Sequence, residues 1–325
     1  VAGREADLDA AGFVEEEYTA DGTATSYSSE GELPADGTYD LVEDATADYR
    51  TRIVVRRPAD AADFNGTVVV EWLNVSGGAD AAPDWIHMHD ELIREGYVWV
   101  GVSAQAVGLN ALKAAQFGDP VRYASLTHPG DSYSYDMFSQ AGQAIRDQAA
   151  TVLSGLRPDR LLAVGESQSA GRLVTYIDAA HPLVNVYDGF LVHSRNVTGA
   201  ALAQAPLPTL IRDDLDVPVL VFNTETDAGA LQARQPDSGT FRLWEAAGTA
   251  HFDHYGLAVG RTDTGDRQSV AAWFASMQHP TNQPSPNFTC DVPINSGPQT
   301  FVLRAAISQT GHDLGYVEQL YTFGD

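Results

Sequence analysis

The chain has 325 residues, 44% hydrophobic and 19% charged, a globular composition that excludes a disordered tail, a collagen-like repeat or a small disulfide-stapled scaffold as an account of the whole chain. Its 44 acidic side chains against 19 basic ones give a formal charge of −25. Such a surface repels nucleic-acid phosphates and anionic lipid headgroups, so neither nucleic acid nor membrane is an expected partner. A single cysteine, Cys290, excludes an internal disulfide and any paired-cysteine metal or redox motif, and reads as a small buried or half-buried residue.

Only one basic residue is a lysine, Lys113; a GC-rich genome or a salty habitat explains that better than a binding site. No apolar run approaches the ~18 residues of a membrane span. A start at Val1 fits a precursor whose signal peptide has been cut off, or a trimmed chain, and the reading leans to export.

In chain order, residues 16–27 and 49–58 read as two opening strands, separated by a Gly-, Asp- and Ser-rich stretch around Gly31 and Gly37 that signals turns. The rhythm then becomes strand, helix, strand. Residues 67–72 (TVVVEW) are a short buried strand, Pro83 opens a helix through Glu95 with Gly96 just past its end, and 97–103 form the next strand. After an irregular stretch, Phe138, Ala141, Ile145, Ala149 and Val152 recur at helical spacing. Residues 160–164 form a strand running into Gly165, and Ala170, Leu173, Val174 and Ile177 mark one helix face. Strands at 187–193, 217–224 and 240–245 and a closing helix at 267–278 complete the pattern. Strands separated by helices predict an α/β fold, a mostly parallel central sheet flanked by helices on both faces, in a single domain over 1–325. Chemistry is then expected at the carboxyl ends of the strands. Residues 105–132 and 195–216 interrupt the rhythm and are the expected cap or lid insertions.

The sharpest motif lies at one strand end: Gly165-Glu166-Ser167-Gln168-Ser169-Ala170-Gly171. A serine on a tight strand-to-helix turn projects its hydroxyl above the sheet, and the amide of the next residue points into the same space. The turn demands small residues two before and two after, which Gly165 and Ser169 supply. Ser103 also ends a strand, but its second following residue is Gln105, too bulky for the turn, and no clear helix follows; Ser167 is preferred.

A nucleophilic serine needs a base, and the base an orienting acid. Residues 217–224 end in Glu225-Thr226-Asp227, either of whose carboxylates could face the site, and the next strand leads to Gly248-Thr249-Ala250-His251. Each is ordinary alone; together they follow the serine in order, each after its own strand.

These segments, with Glu71-Trp72-Leu73-Asn74-Val75-Ser76-Gly77-Gly78, Tyr133-Ser134-Tyr135-Asp136 and Val192-His193-Ser194-Arg195, resemble the α/β-hydrolase superfamily. More narrowly, they are similar to bacterial "alpha/beta hydrolase domain-containing" serine esterase-like proteins. The resemblance implies a nucleophile at Ser167, a base at His251, an acid at Asp227 and no cofactor. The superfamily's P-x-L-x-x-x-G-x-x-D pattern, counted from Pro218, also reaches Asp227, with Thr224 in the glycine's place. Two departures stand out: Ser169 replaces the usual glycine, and Leu73-Asn74-Val75-Ser76 replaces a His-Gly-Gly oxyanion loop. The amide of Asn74 or of Val75 would join that of Gln168 in holding the oxyanion.

No metal is expected. His87 and His89 are two apart on a helix and face different sides, and no strong ligand spacing surrounds His251, Asp253 and His254. Phosphate-binding glycine loops are absent. The expected function is hydrolysis of a small-molecule or polymeric carboxylic ester through an acyl-enzyme. Acyl transfer, lactone or polyester hydrolysis with the same residues, and a non-catalytic ligand-binding scaffold are the alternatives.

Overall fold

The computed structural model describes residues 7–29, 31–202, 209–247, 249–252, 288–291, 300–309 and 312–322. Eight strands form one sheet: β1 (Phe13–Ser29), β2 (Leu41–Pro58), β3 (Thr67–Trp72), β4 (Val98–Val102), β5 (Arg160–Glu166), β6 (Gly189–His193), β7 (Val219–Thr224) and β8 (Phe241–Ala246). Their spatial order is β1-β2-β4-β3-β5-β6-β7-β8. The pairs β1/β2 and β2/β4 are antiparallel, and every pair from β4 to β8 is parallel. The parallel part therefore presents the ends of β3, β5, β6, β7 and β8 along one rim.

Strand alternation sorts the core into two layers. Val68, Val70 and Trp72 of β3 join one cluster with Phe138, Leu173, Val174 and Ile177, from α3 (Ser134–Asp147), α5 (Gln168–Thr175) and the turn that follows α5. Val69 and Trp99 point the other way, to Trp85 and Leu92 of α1 (Pro83–Arg94). Trp72 packs against Phe138 with ring centroids 4.7 Å apart, and Phe138 stacks on Tyr187 at 5.0 Å. Sequence periodicity finds these faces because burial on both sides of the sheet requires them.

Glu71 is fully buried on the α1 side of β3. The residue before α1, Ala82, has no side chain to cap it, and the Glu71 carboxylate accepts instead from Asp84 N at 3.1 Å, Trp85 N at 2.9 Å and Trp99 Nε1 at 2.9 Å. A carboxylate at a helix start satisfies otherwise orphaned amides and favours the dipole. Burial, and next the charge of Asp84, push the Glu71 carboxyl well above the usual range.

Several elements depart from the sequence reading. The opening strands run longer, and Leu41 to Asp48 pairs with Thr23 to Ser29 although residues 42–46 are exposed and include Glu43 and Asp44. Main-chain pairing holds residues 42–46 to β1, so no apolar alternation advertises that stretch of β2. The helix at 138–152 starts earlier and breaks at Gln148 into α3 and α4 (Ala149–Val152). Within 105–132, α2 (Ala106–Leu112) follows β4, correcting the expectation that no helix follows Ser103. Its Leu109 and Leu112 form a cluster with Tyr123 and Leu126. Beyond α5 the chain makes a π-helical turn (Tyr176–Ala180) and a short α6 (His181–Val184). A separate antiparallel sheet of β9 (Phe288–Asp291), β10 (Thr300–Gln309) and β11 (His312–Thr322) follows, where the sequence reading places no elements. The helix expected at 267–278 lies outside the described residues, and Cys290 falls in β9, of which only the backbone is described. Among those residues no helix is long and apolar enough to cross a membrane.

Some of the arginines have structural work. Arg52 is buried against Asp80 at 2.9 Å, and Arg56 meets Glu15 at 2.8 Å while its guanidinium lies 4.5 Å from the Trp85 ring centre. The large acidic excess remains, and its self-repulsion is screened over a Debye length of ~10 Å at 0.1 M salt and ~3 Å at 1 M. The melting temperature is therefore expected to rise with NaCl; calorimetry showing a steady fall between low and molar salt would contradict this account.

Candidate active site

The turn between β5 and α5 carries Ser167 at φ 60° and ψ −114°, a left-handed conformation that non-glycine residues rarely adopt. The close approach at this turn is measured by Gly165: a Cβ there would lie 3.1 Å from the Ser169 carbonyl atoms. Ser169 fits where a glycine is usual because its hydroxyl folds back, donating to Glu166 O at 2.8 Å and accepting from Glu166 N at 3.1 Å. That bond turns a steric departure into a brace across the turn, which spacing alone does not reveal.

His251, beyond β8, faces the serine: its Nε2 lies 2.6 Å from Ser167 Oγ. Its Nδ1 lies 2.6 Å from Asp227 Oδ1. Asp227 sits in the 3₁₀ turn (Glu225–Ala233) after β7, and its Oδ2 accepts from both Thr224 N and Thr224 Oγ1 at 2.7 Å. Thr226 Oγ1 accepts from His251 N at 2.6 Å, fastening the histidine backbone to the same turn. Glu225 is exposed; the carboxylate meeting the imidazole is that of Asp227. Burial alone would raise the Asp227 carboxyl, but hydrogen bonds from His251 and Thr224 outweigh it and hold it at about 2. The bond to Asp227 raises His251 above the usual imidazole value against the opposing effect of burial.

Asn74 and Val75 come to the same rim from the end of β3. The Asn74 amide is spent on Ala81 O at 2.9 Å. Its side chain donates to Glu166 O at 2.9 Å and accepts from Ser76 N at 2.8 Å, pinning the loop to the serine turn. The Val75 amide donates to the Gln168 side-chain oxygen at 3.3 Å. Gln168 is held by a bond from its Nε2 to Gln105 Oε1 at 3.1 Å, and Gln105 accepts from Trp72 Nε1 at 3.1 Å. The Gln168 backbone amide opens α5 and has no acceptor within that helix.

Ser103 lies elsewhere, fully buried, with Oγ donating to Asp80 Oδ2 at 2.5 Å and accepting from Arg52 Nε at 3.1 Å. His89 is buried against the carbonyls of Trp85 and Ile86, whereas His87 packs edge-on beside Phe252 and His193. Among the described residues no group of three or more His, Cys, Asp or Glu side chains could hold a metal ion; Asp253 and His254 lie outside them.

The sequence reading gives no role to two further ionisable groups. Glu166, directly before Ser167, is buried with Oε1 3.3 Å from His251 Nε2. His193, at the end of β6, pairs through Nδ1 with the buried Asp84 at 2.8 Å. Burial would lower His193, but the bond and charge of Asp84 raise it. Both are the last residues of strands that end on the rim, which is the available signal.

A search of curated protein sequences finds no match. Solved structures with a similar chain include a fungal esterase from Rhizomucor miehei (15% identity, 84% of this chain and 87% of that one, TM-score 0.39). A carboxylesterase from Lactobacillus plantarum matches at 13% identity over 71% and 92%, with a TM-score of 0.40. A serine hydrolase without a lid from Xanthomonas campestris matches at 13% over 78% and 94%, also at 0.40. The family model described as alpha/beta hydrolase domain matches residues 1–311. With its parallel strands, the sharp β5–α5 turn and nearly its whole length within that match, the chain belongs to the alpha/beta hydrolase family.

Proposed function

We propose that this protein is a serine hydrolase that cleaves a carboxylic ester through an acyl-enzyme on Ser167. The observation carrying the reading is the continuous chain Ser167 Oγ, His251, Asp227, with 2.6 Å at each link. In this mechanism His251 Nε2 takes the hydroxyl proton as Oγ attacks the ester carbonyl, and Asp227 holds the ring and stabilises the imidazolium. The same proton goes to the departing alcohol. Water then attacks the acyl-enzyme with His251 again as base.

The oxyanion falls to the amides of Gln168 and Val75, since the Asn74 amide is engaged with Ala81. The Gln168 side-chain oxygen on Val75 N marks the position as an acceptor site, and the substrate oxygen replaces it. We read residues 1–325 as one domain, with 105–132 and 195–216 as walls of the substrate site. The net charge of −25 favours cationic and neutral esters over anionic ones.

A neutral fluorophosphonate followed by peptide mass mapping tests the reading, with modification expected on Ser167. A panel of activated esters, lactones and polyesters, run with and without added alcohol, should release free acid rather than a new ester. An unmodified Ser167 would sink the proposal, and product consisting mainly of the new ester would make the enzyme an acyltransferase.

A further inference from the structure

Glu166 has no part in the mechanism above, yet it lies against its base. The side chain is 4% exposed, its Oε1 sits 3.3 Å from His251 Nε2, and no described neighbour gives that oxygen a hydrogen bond. Its other oxygen is 3.5 Å from Asn74 Nδ2. Since Nδ1 is committed to Asp227, one nitrogen, Nε2, faces two oxygens, those of Ser167 and Glu166. A neutral imidazole offers one lone pair there, which can accept from the serine hydroxyl or from a protonated carboxyl, not both. Once Nε2 has taken the serine proton, an ionised carboxylate beside it attracts the new cation.

We propose that Glu166 is a positioning residue that controls His251 at Nε2: ionised, it stabilises the imidazolium formed during attack, and protonated, it occupies the lone pair and leaves Ser167 without a base. The inference rests on the serine-esterase reading. The groups around Glu166 are His251 after β8, Asp84 from α1, His193 from β6, Asp227 after β7 and the Asn74 amide after β3. Burial lifts the carboxyl most; His251 and His193 pull it down, Asp84 and Asp227 push it up, and it comes to about 7. Glu166 also contributes to the raised basicity of His251. The two groups therefore titrate as a pair, and the first proton bound abolishes the active form whichever of them holds it.

The test is the pH profile of kcat and KM for one neutral activated ester, from about pH 4 to about pH 10, in wild type, Glu166→Gln and Glu166→Asp. Glu166→Gln is expected to move the midpoint of the acid limb down by about one pH unit, as when a charge within ~4–6 Å is removed. It should also lower plateau kcat about ten-fold with little change in KM, the rate equivalent of one pKa unit. The His251 imidazole, followed by NMR, should titrate lower by a similar amount. Glu166→Asp withdraws the carboxylate by one methylene and should shift the limb in the same direction by less.

Phosphonate labelling of Ser167 on the alkaline plateau of each enzyme's pH profile certifies that each variant keeps its site. A labelled Glu166→Gln enzyme whose acid limb and imidazole titration stay in place overturns the inference alone. If that variant fails to fold, an unmoved limb in Glu166→Asp does the same. A wild-type enzyme that is not labelled on Ser167 overturns the esterase reading and this inference together.

Discussion

Ser167→Ala is expected to abolish phosphonate labelling and to cut ester turnover on the order of 10⁶-fold, the scale of nucleophile loss in a serine hydrolase. The size follows from the proposed role: without Oγ there is no covalent intermediate, and His251 is left to activate water in a site arranged for an attached nucleophile. Folding should survive, because removing the hydroxyl at the positive-φ position leaves the turn braced by Ser169 on Glu166 and by Asn74 on the Glu166 carbonyl. Ser103→Ala provides the contrast. Its hydroxyl belongs to the buried Arg52–Asp80 pair, so its loss should cost roughly 1–3 kcal/mol of stability in urea unfolding while labelling persists. Labelling that survives Ser167→Ala, or disappears in a folded Ser103→Ala protein, would move the nucleophile.

The second large effect is expected at Asp227. Asp227→Asn keeps the shape of the side chain but offers an amide to His251 Nδ1, which favours the wrong tautomer and removes the charge opposite the imidazolium; kcat should fall by roughly 10⁴ with little change in KM. Because Asp227 is held at about 2, it stays ionised across the working range and contributes no limb of its own. Its interaction with His251 raises the imidazole, so the residual activity of Asp227→Asn should have its acid limb at lower pH than wild type. Glu225→Gln should do far less, since Glu225 is exposed and the imidazole bond is made by its neighbour two residues on. Assaying both variants on a single activated ester decides the assignment: a large loss for Glu225→Gln beside near-normal Asp227→Asn would reverse it.

Much of the sheet was legible before any coordinates because buried strands and covering helices leave periodic apolar patterns. TVVVEW at β3 and the spacing of Ala170, Leu173, Val174 and Ile177 are direct consequences of which faces must be dry. The outer part of β2, residues 41–48, was not legible. There the exposed residues 42–46, which include Glu43 and Asp44, are held to β1 by main-chain pairing, a bond type indifferent to side-chain identity. The break at Gln148 and the helix α2 were missed because a four- or seven-residue helix is too short to establish a period of 3.6.

For the candidate site, the sequence by itself determined the residue types and their order along the chain: a serine between small residues after one strand, two acids after a later one, a histidine after the next. Which atoms meet is a matter of three dimensions. Spacing could not separate Glu225 from Asp227, because alternation puts both on one side; the turn after β7 directs Asp227 to the imidazole, while Glu225 is exposed. Nor could it separate the Asn74 and Val75 amides, whose difference lies in the bridge from Asn74 to Ala81. The nearness of Glu166 to His251 was likewise invisible, since 85 residues separate them in the chain and only the parallel order β5-β6-β7-β8 brings their strand ends to one rim. Local periodicity records what each segment must bury, while contacts between ionisable groups depend on how distant segments pack, and that is decided only when the sheet is assembled.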